Sequence, residues 1–459
     1  MTGIPMSAPA PNEPVINENK IILVWSFTVW LVVMNTTMFN VALPSILTDL
    51  SLSSATASWI VSGYSIVFAI STLTYSRLSD FIPISRLLVS GLSLLGLASI
   101  IGLLADEFYL LLGARILQAA GAGAVPGLAM VLAGRYIPVT RRGKAMSMIA
   151  SAASLGFGLG PVIGGLITQY LGWNFLFAIT VFVIILIPFF KSLLPIEERK
   201  KVKFDTFGGI LTGLSVTGLL LFLSSFSMII LLVSVVLLYV LWRHIHLVKT
   251  PFIQPDLLNY RQYVKLLFIG FAAFITHFSA LFLMPIMLTV VFNKAPGEIG
   301  MIIFPGAILS AAAAQLIGRV IDKLGNVPVI LFGHAFLLIS TLMFAFLSGK
   351  SPYFIMVTYM FTSLGFSALT SSMANEASRI LPESQIGSGM GLIQLVQFFG
   401  GAFGVGLTGI LITLLNDLSP ENIYRTIFLG ITMLLLCSLF TFGLYLKRGK
   451  QSGSAVLSE

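Results

Sequence analysis

Long apolar runs, each ended by a charge or by turn-forming residues, recur along almost the whole chain. They fall at roughly 21–46, 57–76, 87–105, 109–134, 144–171, 174–195, 206–224, 227–243, 263–292, 299–318, 327–348, 352–374, 386–415 and 422–446. A helix rising about 1.5 Å per residue needs about 20 apolar residues to cross a hydrocarbon core of ~30 Å, and most of the runs are that long. The pattern predicts an all-α membrane protein of about fourteen transmembrane helices. The least distinct boundary is the short "SSFS" at 224–227 between the seventh and eighth runs.

Composition agrees, since 57% of the 459 residues are hydrophobic and only 9% charged, far too little polar surface for a water-soluble domain of this size. The net charge of +9 suggests nucleic acid at first sight, but its distribution excludes that reading. With the N-terminus inside, inner segments hold 22 of the 26 Lys and Arg, and outer segments hold only Lys294, Lys350 and Arg425. That asymmetry is the positive-inside pattern, so both termini are expected in the cytoplasm. Residues 1–20, rich in Pro, Asn and Ala, read as a cytoplasmic tail without secretory-signal features. The single cysteine, Cys437, rules out an internal disulfide, and no ligand cluster suggests a metal or cofactor.

The chain repeats itself. "SRLSDFIPISRLL" (76–88) follows the second run and "GRVIDKLGNVPVIL" (318–331) the tenth, each placing an Arg and then an Asp, Asp80 or Asp322, in a tight inner loop. The fifth run of each block is glycine-rich, "GFGLGPVIGG" (156–165) and "GGAFGVGLTG" (400–409). A duplicated six-helix bundle follows, with 21–195 as the first copy, 263–446 as the second, 196–262 as a linker carrying two extra helices, and 447–459 as a cytoplasmic tail.

Five segments in order resemble the major facilitator superfamily, specifically its fourteen-helix drug:proton antiporter branch: "NVALP" (40–44), "RLSDFIPISRLL", "RILQAAGAGAVP" (115–126), "GFGLGPVIGG" and "GLIQLVQFFGGAFGVGLTG". "RYIP", "RGKA" and "IIFPG" (302–306) bring the pattern nearest to Gram-positive tetracycline and multidrug efflux proteins. The resemblance implies export of amphiphilic small molecules in exchange for protons, by a monomer in the bilayer that rocks its two bundles about a central cavity.

One Lys or Arg remains outside the inner and outer segments, Arg115, and it lies inside a span. A lone cation there costs about 2.5–3.5 kcal/mol on insertion scales, so it needs a partner or a cavity. The resemblance gives it proton coupling, shared with Gln118 one turn on. An unperturbed histidine titrates in the physiological range, so His277 in the ninth run joins the coupling candidates, as does Glu376 near the inner mouth. Asn35, Thr36, Gln394, Gln397 and Phe398 are candidates for the substrate cavity. Asp80, Arg86 and Asp322 are expected to control conformation by bridging the bundles in one state. Gly156, Gly160, Pro161, Gly164 and Gly165 form a small-residue stripe, suited to close helix packing and, by the resemblance, to sealing the outer gate. Many of the resembling proteins carry an acid in the first helix where this chain has Asn35 or Thr36, which argues against strong selectivity for dications. The alternative is an exporter of an endogenous metabolite or lipid without strict proton exchange. No His/Asp, Ser/His or metal constellation supports an enzyme, and inner loops of about 20 residues leave no room for a sensor domain.

Overall fold

The computed structural model describes residues 18–52, 54–195, 197, 204–225, 227–294, 296–415 and 417–456. The expected tail up to residue 17, the basic cluster Arg199, Lys200, Lys201 and Lys203, residue Phe226 of the "SSFS" junction and residues 457–459 lie outside the described residues. The regular structure is helical: α1 (Glu18–Asp49), α2 (Ser54–Leu78), α3 (Ile84–Leu103), α4 (Phe108–Ala122), α5 (Ala124–Tyr136), α6 (Val139–Tyr170), α7 (Leu176–Val181), α8 (Val183–Leu193), α9 (Thr206–Ser225), α10 (Met228–Leu247), α11 (Pro255–Asn259), α12 (Arg261–Val290), α13 (Pro296–Leu324), α14 (Asn326–Leu347), α15 (Pro352–Ile380), α16 (Ile386–Leu414) and α17 (Pro420–Val456).

Thirteen described segments are long and apolar enough to cross a bilayer, and the apolar part of α9, Thr206–Phe222, is a shorter fourteenth. Two crossings are divided. α4 and α5 form one segment broken at Gly123, and α7 with α8 form another, Trp173–Leu193. α17 does not stop at 446 as expected but continues to Val456, because Lys, Arg and Gln sustain a helix beyond the apolar layer.

Helices α1–α8 and α12–α17 build two bundles with the same internal packing. In the first, a Cβ on Gly121 of α4 would lie 2.4 Å from the Gly91 carbonyl oxygen of α3. In the second, a Cβ on Gly365 of α15 would lie 3.0 Å from the Gly333 carbonyl oxygen of α14. Both pairs bring backbones together where any side chain would hold them apart. The repeated loops turn by different means: Pro83 starts α3 with φ −51°, while Gly325 precedes α14 with φ +81°, a conformation that favours glycine.

The bundles meet along two seams. α6 and α13 are zipped along their length, with Gly143 against Ile321, Gly318 against Lys144, Gly158 against Ala307 and Gly300 against Val162. α2 and α16 touch at one end, where Gly391 lies on Leu73 and Ser76. That end is the face on which α1 begins, since Glu18 pairs there with Arg141 at 2.9 Å. It is called the terminal face below.

Candidate functional site

Where α2 and α16 part, they leave a cavity of about 520 Å³. Its wall is aromatic and neutral. Tyr64, Phe68, Phe157, Phe278, Phe398 and Phe399 supply rings, and Thr36, Thr37, Asn40 and Ser65 supply hydroxyls and one amide. No carboxylate, Lys, Arg or His lines it among the described residues. Phe68 and Phe398 meet edge to face, centroids 5.0 Å apart, across the two bundles. From there the lining runs to Trp59 and Gly406, toward the face opposite the termini.

Arg115 lies one ring behind this wall. It is fully buried, its guanidinium carbon 3.9 Å from the centroid of Phe39 and 3.9 Å from that of Tyr64, a cavity-lining residue. Nη1 donates to Gln118 Oε1 at 2.7 Å and to Asn35 Oδ1 at 3.5 Å, while Nε and Nη2 have no hydrogen-bond partner. Gln118 Nε2 in turn donates to Ser99 Oγ and Thr180 Oγ1, both at 2.9 Å. The charge is thus held by two π faces and neutral oxygens. Desolvated cation–π contacts contribute about 2 kcal/mol each, which offsets part of the cost of burying an ion without a counter-ion.

On the terminal face, Asp80 accepts from Arg77 Nη1 and Arg135 Nη2, each at 2.6 Å, and from the backbone N–H of Ser388 in the other bundle. The fit needs Gly387, because a Cβ there would lie 2.1 Å from Asp80 Oδ1. Burial pushes the Asp80 pKa above the ordinary carboxylate range, against the opposing pull of Arg135 and Arg77. Asp322 makes the reciprocal bridge: Oδ1 accepts from Gly143 N at 2.9 Å and Oδ2 from Lys144 N at 3.1 Å, at the start of α6. Arg142 Nη1 adds a bond to Ser378 O at 3.2 Å. The Asp80 contacts close the terminal side of the α2–α16 gap, and those of Asp322 and Arg142 hold α6 against α13 and α15.

Several sequence candidates fall elsewhere. Arg86 is exposed, turned out by the first turn of α3, and Arg77 and Arg135 take the place it was expected to fill. The glycine stripe of α6 does not face the other bundle. Gly156, Gly160 and Gly164 abut the α1 backbone at Trp30, Met34 and Met38, Gly165 lies near Val41, and Pro161 sits within the helix, so the stripe fixes α1 on α6 inside one bundle. Glu376 is tied into the second bundle, accepting from Asn326 Nδ2 at 2.5 Å and from Tyr445 Oη. His277 is fully buried without a hydrogen bond to either nitrogen and stacks on Phe366 at 3.9 Å, behind the cavity residues Phe157 and Phe278. Of the cavity candidates, Thr36 and Phe398 line the space. Asn35 stands behind Tyr64, donating to its hydroxyl at 3.4 Å, Gln394 donates across the seam to Pro126 O at 2.6 Å, and Gln397 packs over Gly270.

The model of the Major Facilitator Superfamily matches residues 25–252 and 266–458. The chain belongs to this superfamily. It is therefore a multi-pass membrane transporter of small molecules and not an enzyme. It is similar to the riboflavin transporter RibZ of Clostridioides difficile, 23% identical over 402 residues that span 84% of this chain and 86% of that one. It is also similar to the lincomycin resistance protein LmrB of Listeria innocua, 25% identical over 433 residues, 89% and 90% of the two chains. The fold matches the human organic anion transporter MFSD10 with a TM-score of 0.70 at 15% identity, covering 92% of this chain and 100% of that one.

The superfamily motifs led to Arg115 and Gln118 but not to what surrounds them. Phe39 follows Asn35 by one helical turn, so its place on the same face was readable. Tyr64, Ser99 and Thr180 come from three other elements, and no local pattern marks them.

Proposed function

We propose that the chain exports amphiphilic drugs, tetracycline-like or of several kinds, in exchange for protons by alternating access, with the terminal face in the cytoplasm. The observation that carries this reading is the neutral, aromatic cavity between the bundles, shut on the terminal side by the Asp80 and Asp322 bridges. In this assignment the described conformation faces outward, ready to release cargo. Rings and hydroxyls suit flat, lipophilic molecules with a few polar groups, and Phe-rich walls accept several shapes. A fixed cation is disfavoured, since the wall offers no carboxylate and the Arg115 charge lies one ring behind it. A neutral aromatic metabolite fits the same wall, and a riboflavin transporter among the relatives favours this second reading.

Inside-out vesicles energised to an acid interior and loaded with a pH-sensitive dye separate the readings. Tetracycline is expected to release lumenal protons and tetraphenylphosphonium to release few, with release lost in Arg115→Ala. Proton release by riboflavin alone moves the assignment to the metabolite. No release by any of the three from folded protein overturns proton exchange.

A further inference from the structure

The two seams between the bundles are not equivalent, and the difference gives the α9–α10 hairpin a role. The α6–α13 seam is closed from end to end by small residues. The α2–α16 seam opens beyond the Phe68–Phe398 contact, and α9 lies across the opening. Gly213 of α9 faces Ile70 of α2, and Leu220 and Leu221 line the cavity beside Trp59, Ser65, Phe398 and Val405. α10 backs α9 closely, where a Cβ on Gly218 would lie 2.3 Å from Ser234 Oγ, and presents most of its surface outward.

One end of the hairpin is fixed to the Asp80 bridge. Asp205 accepts from Gly208 N at 2.8 Å, Phe252 N at 3.0 Å and His244 Nε2 at 2.9 Å, joining both ends of the hairpin. Burial raises the Asp205 pKa, and these bonds together outweigh it, holding the carboxyl below its ordinary value. Arg77, which holds Asp80, also donates to Pro251 O at 3.0 Å. The hairpin is therefore anchored at the terminal face, and its far end reaches the cavity.

We propose that α9 is the third wall of the transport cavity: Leu220 and Leu221 separate the cargo from lipid and contact its apolar part. The wall itself follows from the packing alone; the identity of the cargo rests on the transporter reading above. On this basis the hairpin sets which shapes the cavity accepts, a role distinct from a linker between bundles.

The test uses the full chain in lipid nanodiscs, reached from both faces, with Cys437→Ser removing the single native thiol. Single cysteines are placed by Leu220→Cys and Leu221→Cys, with Ala402→Cys of α16 as the cavity reference and Leu214→Cys, 50% exposed on the outer side of α9, as the lipid reference. Labelling by a charged, water-soluble maleimide is normalised to total thiol after denaturation. A thiol in a wet cavity ionises more readily than one in lipid, so positions 220 and 221 are expected to react about tenfold or more faster than position 214, near the rate of position 402. Rates matching position 214 overturn the wall. Whichever of tetracycline and riboflavin releases protons in the vesicle assay is then expected to slow labelling at 220 and 221. Transport of that compound without protection overturns the contact, while failure of both compounds in vesicles leaves the labelling result to decide the wall alone.

Discussion

Arg115 is the residue at which the chain departs furthest from ordinary membrane-protein economy. Its guanidinium is buried between Phe39 and Tyr64 with neutral hydrogen-bond acceptors and two unpartnered nitrogens. A buried ion without a counter-ion is weakly justified by stability, which points to function. Arg115→Met keeps most of the volume and stays between the rings. Its thermal midpoint in detergent is expected at or above that of the native chain, with transport lost. Arg115→Ala opens a void and is expected to unfold at lower temperature with the same loss of transport. A large fall in midpoint for the Met variant would make the residue structural. Asn35 fits the same picture, since it donates to the Tyr64 hydroxyl behind the cavity wall.

Among the elements, close approach by glycine decides which helices pair. A Cβ on Gly160 would lie 1.9 Å from Thr37 Oγ1 and 2.8 Å from the Met34 carbonyl oxygen, whereas one on Gly165 meets only Val41 Cγ1 at 3.5 Å. Gly160→Ala is expected to destabilise by about 1–3 kcal/mol, the usual range for overpacking, and Gly165→Ala to be tolerated, as read from thermal unfolding in detergent. Equal effects would mean that α1 shifts freely on α6. The spacing of these glycines was visible along the chain, and so was their use as a packing face. Which helix they receive was not, because a small-residue stripe specifies proximity without naming the partner. α9 shows the same gap: an apolar run reads as a crossing whether it faces lipid, protein or a cavity.

At the scale of the molecule, two carboxylates bridge the bundles on one face of the transporter. Asp322 caps two backbone N–H groups of α6, and bonds to a charged acceptor contribute about 1.5–3 kcal/mol each. Ser147 of α6 is buried in the seam, donating to Ala314 O at 2.9 Å. In a Cys437→Ser background, Asp322→Ala is expected to speed maleimide labelling of Ser147→Cys by about tenfold or more, the population shift that one such bond sets. Asp256→Ala, at an exposed site on α11, serves as the control. An unchanged rate would mean that the Asp322 bridge does not hold α6 and α13 together.

Hydrophobic run length, the doubled Arg–Asp loops and the placement of basic residues determined the crossings, the duplication and the position of Arg115 inside a span, because each is dictated by the bilayer along a single chain. Only the tertiary structure decided that Arg77 and Arg135, not Arg86, hold Asp80, that Glu376 and His277 belong to the packing of the second bundle, and that α9 closes the cavity. Those outcomes depend on which helix faces meet across the bundles, a property of packed surfaces that no local pattern encodes.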